Sequence, residues 1–104
     1  MIEPSVTGDF DPDGNDQPYV LRLFVTGASS NSVRAITNIK SICDTYLPGR
    51  YELEIIDVYQ QKQITEQEQI IALPLLIKYL PLPRRRLIGD MSDTEHVLKG
   101  LGLA

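Results

Sequence analysis

The sequence has one cysteine and one histidine. Cys43 alone cannot close an internal disulfide or build a cysteine-based zinc site. His96 alone leaves no choice of imidazoles for a Ser-His-Asp arrangement. No apolar run reaches the roughly 18 residues that a membrane span needs. No basic start followed by an apolar stretch marks a secretory signal. Ten Lys and Arg stand against fourteen Asp and Glu, so the basic excess of a non-specific nucleic-acid binder is missing as well. The expectation is a cytoplasmic protein without nucleic-acid or membrane partners and with no cofactor or metal. With 104 residues, 42% hydrophobic and 23% charged, the chain is expected to form one small soluble globular domain.

The charge is uneven. Residues 1–18 carry Glu3, Asp9, Asp11, Asp13 and Asp16 and no base, whereas the rest of the chain has one more base than acid. Three prolines, two glycines and five acids leave this segment little to bury, so a disordered acidic tail is expected before a domain at 19–104. Asp9, Asp11, Asp13 and Gly14 match the opening of an EF-hand calcium loop. Val20 then stands where a bidentate Glu is required, and Pro12 lies inside the loop. A calcium site is therefore not expected.

From Tyr19 the apolar pattern becomes regular. Tyr19–Val25 is apolar on both faces apart from Arg22, which suits a central strand covered on both sides. A turn at Gly27–Ser32 precedes a helix with Val33, Ile36, Ile39, Cys43 and Tyr46 on its apolar stripe, ended by Leu47-Pro48-Gly49. Tyr51–Val58 is a second strand with Glu52 and Glu54 on one wet face. Gln60–Gln63 is a polar connection. Thr65-x-x-Glu68 has capping-box spacing and predicts a short helix that stops near Leu73, before Pro74. Leu75–Tyr79 and Arg84–Gly89 are further strands. Ser92-x-x-Glu95 is a second capping box, followed by Val97, Leu98 and Leu101, with Gly100 and Gly102 ending the helix. The order β-α-β-α-β-β-α describes a thioredoxin-like α/β fold.

Thioredoxin-like enzymes carry a reactive cysteine at the start of the first helix, where the helix dipole lowers its pKa. That turn has none here. Cys43 lies on the apolar stripe and reads as a buried structural thiol. A redox or glutathione-binding protein is the alternative function, resting on Ser29, Ser30 and Ser32. Leu73-Pro74 occupies the place of the cis-proline in this fold. Arg84-Arg85-Arg86 is the one basic run. It reads as an exposed, charged strand, with Arg84 and Arg86 on one face and Arg85 on the other. His96 reads as a surface residue.

Six segments together resemble the KaiB family of clock proteins. They are Tyr19–Gly27, Asn31-Ser32-Val33-Arg34-Ala35, Ile56-Asp57-Val58, Ala72-Leu73-Pro74, Leu80-Pro81-Leu82-Pro83 and Arg85–Asp90. The likeness runs from Tyr19 to about Leu103. It implies a non-enzymatic regulator that binds a KaiC-type ATPase ring, with KaiA or a histidine kinase as a further partner. It also implies two folds: a thioredoxin-like monomer that binds partners, and a tetramer with a different, α+β C-terminal half. Tyr19, Pro74, Gly100 and Gly102 are the positions that would weigh on the balance between them. Glycine at 100 and 102 disfavours a strand, so a mainly monomeric thioredoxin-like state is expected, with the tetramer as the alternative. The resemblance places ring docking on Gln61–Pro74, through Gln63, Ile64, Glu66 and Gln69. Glu52 and Glu54 stand where the family commonly has Ala and Lys, on the edge used for KaiA. That substitution argues against a KaiA-type partner.

Overall fold

The computed structural model describes residues 18–70 and 72–103. The acidic segment and its calcium-loop motif lie outside the described residues. Four strands form one sheet: β1 (Tyr19–Val25), β2 (Tyr51–Asp57), β3 (Leu75–Leu80) and β4 (Arg85–Ile88). Three helices connect and follow them: α1 (Ser30–Tyr46), α2 (Lys62–Gln67) and α3 (Thr94–Leu101). The order is the one expected. Residues 94–101 are helical, where the alternative α+β fold requires strand.

The sheet order is β2-β1-β3-β4. β1 pairs in parallel with β2, Tyr19 facing Tyr51 and Val25 facing Asp57. β1 pairs antiparallel with β3, and β3 antiparallel with β4. β1 is thus interior and covered on both faces, which explains its nearly continuous apolar run.

Alternation sends Leu21, Leu23 and Val25 to one face. There they meet Ala35, Ile39, Ile42 and Cys43 of α1, Val97 and Leu101 of α3, Leu76, and Leu87. The opposite face holds a smaller cluster of Phe24, Ile56, Leu75 and Ile77, covered by Ile64, Ile70 and Leu73 around α2.

Several local readings are corrected. The buried stripe of α1 is Ser32, Ala35, Ile39, Ile42 and Cys43; Val33 and Tyr46 at its expected ends are exposed. Ser29 caps α1 by accepting from the Ser32 N–H, so the helix begins before Val33. The Thr65 capping box does not form. α2 starts at Lys62, three residues earlier, with no side-chain cap on Gln61, and Thr65 Oγ1 donates back to the Gln61 carbonyl at 3.0 Å, as threonines inside helices do. It also stops at Gln67, well short of Leu73. At α3 the cap is Asp93 rather than Ser92, its carboxylate accepting from the His96 N–H. Gly102 ends α3 in the left-handed conformation at φ 80, but Gly100 lies inside the helix.

Candidate partner-docking face

α2 is too short to persist alone, so its position depends on what holds its ends. The Asp57 carbonyl accepts from the N–H groups of both Gln60 and Gln61 at 3.0 Å. At the other end the Gln69 N–H reaches the Glu66 carbonyl at 3.1 Å and the Ile70 N–H reaches the Thr65 carbonyl at 3.3 Å. Gln69 itself takes φ 55. Between these ends Ile64 turns inward onto the smaller apolar cluster. Gln63, Glu66 and Gln69 stay exposed. Of the four residues expected to dock a ring, three therefore face outward, while Ile64 is a packing residue that secures the helix.

Glu68, just past α2, is the residue that the sequence reading missed. Its side chain is only 16% exposed. Tyr79 Oη donates to Glu68 Oε2 at 2.9 Å, and Arg84 Nη2 donates to Glu68 Oε1. Arg86 Nη2 lies 3.6 Å from the same oxygen and also donates to the Glu68 carbonyl. One carboxylate thus ties the end of α2 to β3 and to the start of β4. The Arg84 guanidinium stacks 4.7 Å from the Tyr79 ring centroid, and that of Arg22 lies 5.3 Å from it. Burial, and then the bond to Glu68, raise the Tyr79 pKa. Arg84 and Arg86 therefore share a face, as read from the sequence, but they bind this carboxylate rather than standing free. Nothing local could reveal this, because the partners are 11 to 18 residues apart.

One edge of the sheet is β2 and the other is β4. Glu52 and Glu54 are both exposed on β2. Glu54 accepts from Arg22 Nε at 3.1 Å, so its charge is partly matched. A shallow groove between Arg22 and these two acids runs along Val20, Leu21 and Leu53.

Of the three serines at the head of α1, Ser29 and Ser30 are exposed, and Ser29 is engaged as the helix cap. Ser32 is 1% exposed; its hydroxyl accepts from the Thr26 N–H at 3.1 Å and from Ser29 Oγ at 2.8 Å. Cys43 is fully buried, and burial, reinforced by Asp44, pushes its thiol up to about 12. A nucleophile needs the opposite shift.

Tyr19 is buried beside β2, its N–H donating to the Arg50 carbonyl at 2.8 Å. Pro74 is buried and follows a cis peptide bond. His96, read as a surface residue, is exposed. Nearby, Arg34 Nε donates to Asp90 Oδ2 at 3.2 Å. No cluster of three or more His, Cys, Asp or Glu among the described residues could hold a metal ion, and no described helix is long and apolar enough to cross a membrane.

The same architecture occurs in solved structures. The N-terminal domain of Synechococcus elongatus SasA superposes with a TM-score of 0.68 at 26% identity, covering 91% of this chain and 93% of that one. The Drosophila melanogaster thioredoxin Deadhead superposes with a TM-score of 0.66 at 15% identity, covering 86% and 83%. The fold is therefore thioredoxin-like. Among curated sequences, the circadian clock protein KaiB3 of Synechocystis sp. is 54% identical over 84 residues, 81% of this chain and 82% of its own. The circadian clock oscillator protein KaiB of Picosynechococcus sp. is 51% identical over 85 residues, 82% of each. The KaiB domain model matches residues 22–103, which takes in β1 from Arg22, the α2 face and the Glu68 tie, and the chain belongs to the KaiB family.

Proposed function

We propose that this protein is a non-enzymatic KaiB-type regulator which, in its thioredoxin-like form, docks on a KaiC-type ATPase ring in circadian timing or a derived signalling role. The observation that carries the reading is identity of about half with circadian clock KaiB proteins across the folded body. The outward row Gln63, Glu66 and Gln69, on a helix fixed at both ends, supplies the docking face. A histidine kinase is the second partner class. KaiA-type capture at β2 is disfavoured, because Glu52 and Glu54 present acid where an interface of the family's usual charge would meet repulsion.

Interferometry against an immobilised KaiC ring tests this. Wild-type protein binds, and Gln63→Arg combined with Glu66→Lys weakens binding at least tenfold without lowering Tm. Ile64 is left untouched because its loss would damage packing. Undiminished binding by the double variant removes the α2 face, and no binding by wild type removes the ring as partner. Tight KaiA capture by the assembled complex removes the charge argument. A glutathione titration that moves the Ser29–Ser32 amides would favour the alternative.

A further inference from the structure

The topology gathers basic side chains at one rim of the sheet. β1 and β2 begin there, β3 ends there and β4 begins there. The rim therefore collects Arg50 just before β2, Lys78 near the end of β3, and Arg84 and Arg85 at the start of β4. Lys78 pairs with Arg85 in register. It is buried, and burial followed by the neighbouring Arg85 charge lowers its pKa. The Arg50 Nε is buried without a hydrogen-bond partner among the described residues. Glu52, the second residue of β2, is an acid at this rim, Asp44 accepts from Tyr51 Oη at 2.6 Å beside it, and Glu68 is held by Arg84 and Arg86. Two exposed leucines, Leu80 and Leu82, at 45% and 75% exposure, project from the β3–β4 connection at the same rim.

The acidic segment joins the sheet at this rim, through Pro18 and Tyr19. It carries five acids and no base, and its one aromatic residue, Phe10, stands between Asp9 and Asp11. An extended chain spans up to about 3.5 Å per residue, and β4 lies two ladder spacings from β1, roughly 10 Å. Asp16, Asp13 and Asp11 all have that reach. Tethering makes the encounter intramolecular, at an effective concentration on the order of millimolar.

We propose that residues 3–16 dock intramolecularly on this rim, their carboxylates against Arg50 and Arg85 and Phe10 against Leu80 and Leu82. The contact is electrostatic in the main, so it weakens as the Debye length falls below about 10 Å near 0.1 M salt. It is independent of any ring partner.

Amide NMR spectra of the full chain test this. The comparison is wild type against a variant with Glu3→Gln, Asp9→Asn, Asp11→Asn, Asp13→Asn and Asp16→Asn, which alters no residue of the sheet. At 20 mM salt the expected shift differences fall on residues 50, 78, 82, 84 and 85, and 0.5 M salt brings the wild-type spectrum to that of the variant. Phe10→Ser reproduces the shifts at residues 80 and 82. Differences confined to residues 18–20 overturn the proposal. Differences that grow with protein concentration overturn it as well, because they assign the contact to a second copy. Arg85→Gln, on a solvent-exposed side chain, removes part of the wild-type shift pattern; an unchanged pattern in that variant removes the rim as the docking surface.

Discussion

Tyr79 holds Glu68 in place: the phenol of β3 donates to a carboxylate that belongs to the turn after α2, 2.9 Å away. Arg84, just before β4, and Arg86 of β4 approach the same carboxylate. α2 has no side-chain cap at its start, so this tie and the packing of Ile64 do most to fix it. Hydrogen bonds to a charged group contribute about 1.5–3 kcal/mol each, neutral ones about 1. Glu68→Ala is expected to lower stability by about 2 kcal/mol in urea titration. It should also speed amide exchange across residues 62–70 more than in β1. Tyr79→Phe removes one bond to the charged carboxylate and should cost about 1.5 kcal/mol. Equal acceleration of exchange in β1 and α2 would show that Glu68 supports the whole fold rather than this helix.

Gly100 and Gly102 should respond differently to alanine. A Cβ on Gly100 would sit 2.7 Å from Leu87 Cδ1 and 2.9 Å from Leu87 Cγ. Overpacking of this kind costs about 1–3 kcal/mol, offset by up to about 1 kcal/mol of helix propensity. Gly100→Ala is thus expected to destabilise by about 1 kcal/mol, and Leu87→Ala in the same chain to make the two changes less than additive. At Gly102 the φ of 80 is the obstacle and no close atom crowds the site. Gly102→Ala should cost about 1 kcal/mol, Gly102→Asn less, with no dependence on Leu87. Thermal or urea unfolding of these variants, with Leu87→Ala alone as the reference, checks both.

Stability should fall on the alkaline side in two steps. Burial pushes the Cys43 thiol from 9.0 up to about 12. The hydrogen bond to Asp44, then burial, push the Tyr51 phenol from 10.0 up to about 12. Both groups stay protonated in the folded protein where the unfolded chain releases its protons. Their contribution is complete below the unfolded values and is lost as pH rises through about 12. Urea midpoints should decline from about pH 9, and Cys43→Ala should move the onset towards pH 10. In native protein at pH 8 the thiol should resist a disulfide reagent; labelling within seconds would contradict its burial.

Ser32→Ala should remove the acceptor of the Thr26 N–H and of Ser29 Oγ at the head of α1. A buried donor left unpaired costs about 1–3 kcal/mol. Ser29→Ala loses the cap itself and should cost about 1 kcal/mol. Calorimetry of both variants measures this, and a neutral Ser32→Ala would mean that the hydroxyl can be spared.

Local pattern carried the strands and the two longer helices to within a few residues. Tyr19–Val25 reads as interior because it is apolar on both faces, and Pro74 and Gly102 mark real boundaries. The caps were harder to read. Ser92 and Asp93 are both good N-caps, and only the path of the chain beyond Asp90 decides for Asp93. Thr65 has the right spacing to Glu68 for a capping box, yet Glu68 is drawn away by Tyr79, Arg84 and Arg86. That pull comes from β3 and β4, so the start of α2 and the role of Glu68 could not be read from neighbouring residues. Resemblance alone places Ile64 among the docking residues, and the short α2 offers no period clear enough to separate its inner from its outer side.

The sheet keeps its two apolar clusters apart, and α2 touches only the smaller one. Gln63, Glu66 and Gln69 lie on the far side even of that cluster. Substitutions there can accumulate without repacking Leu21, Leu23 or Leu76. Such a layout lets sister copies of one ancestral gene drift towards different binding partners while inheriting the same scaffold intact.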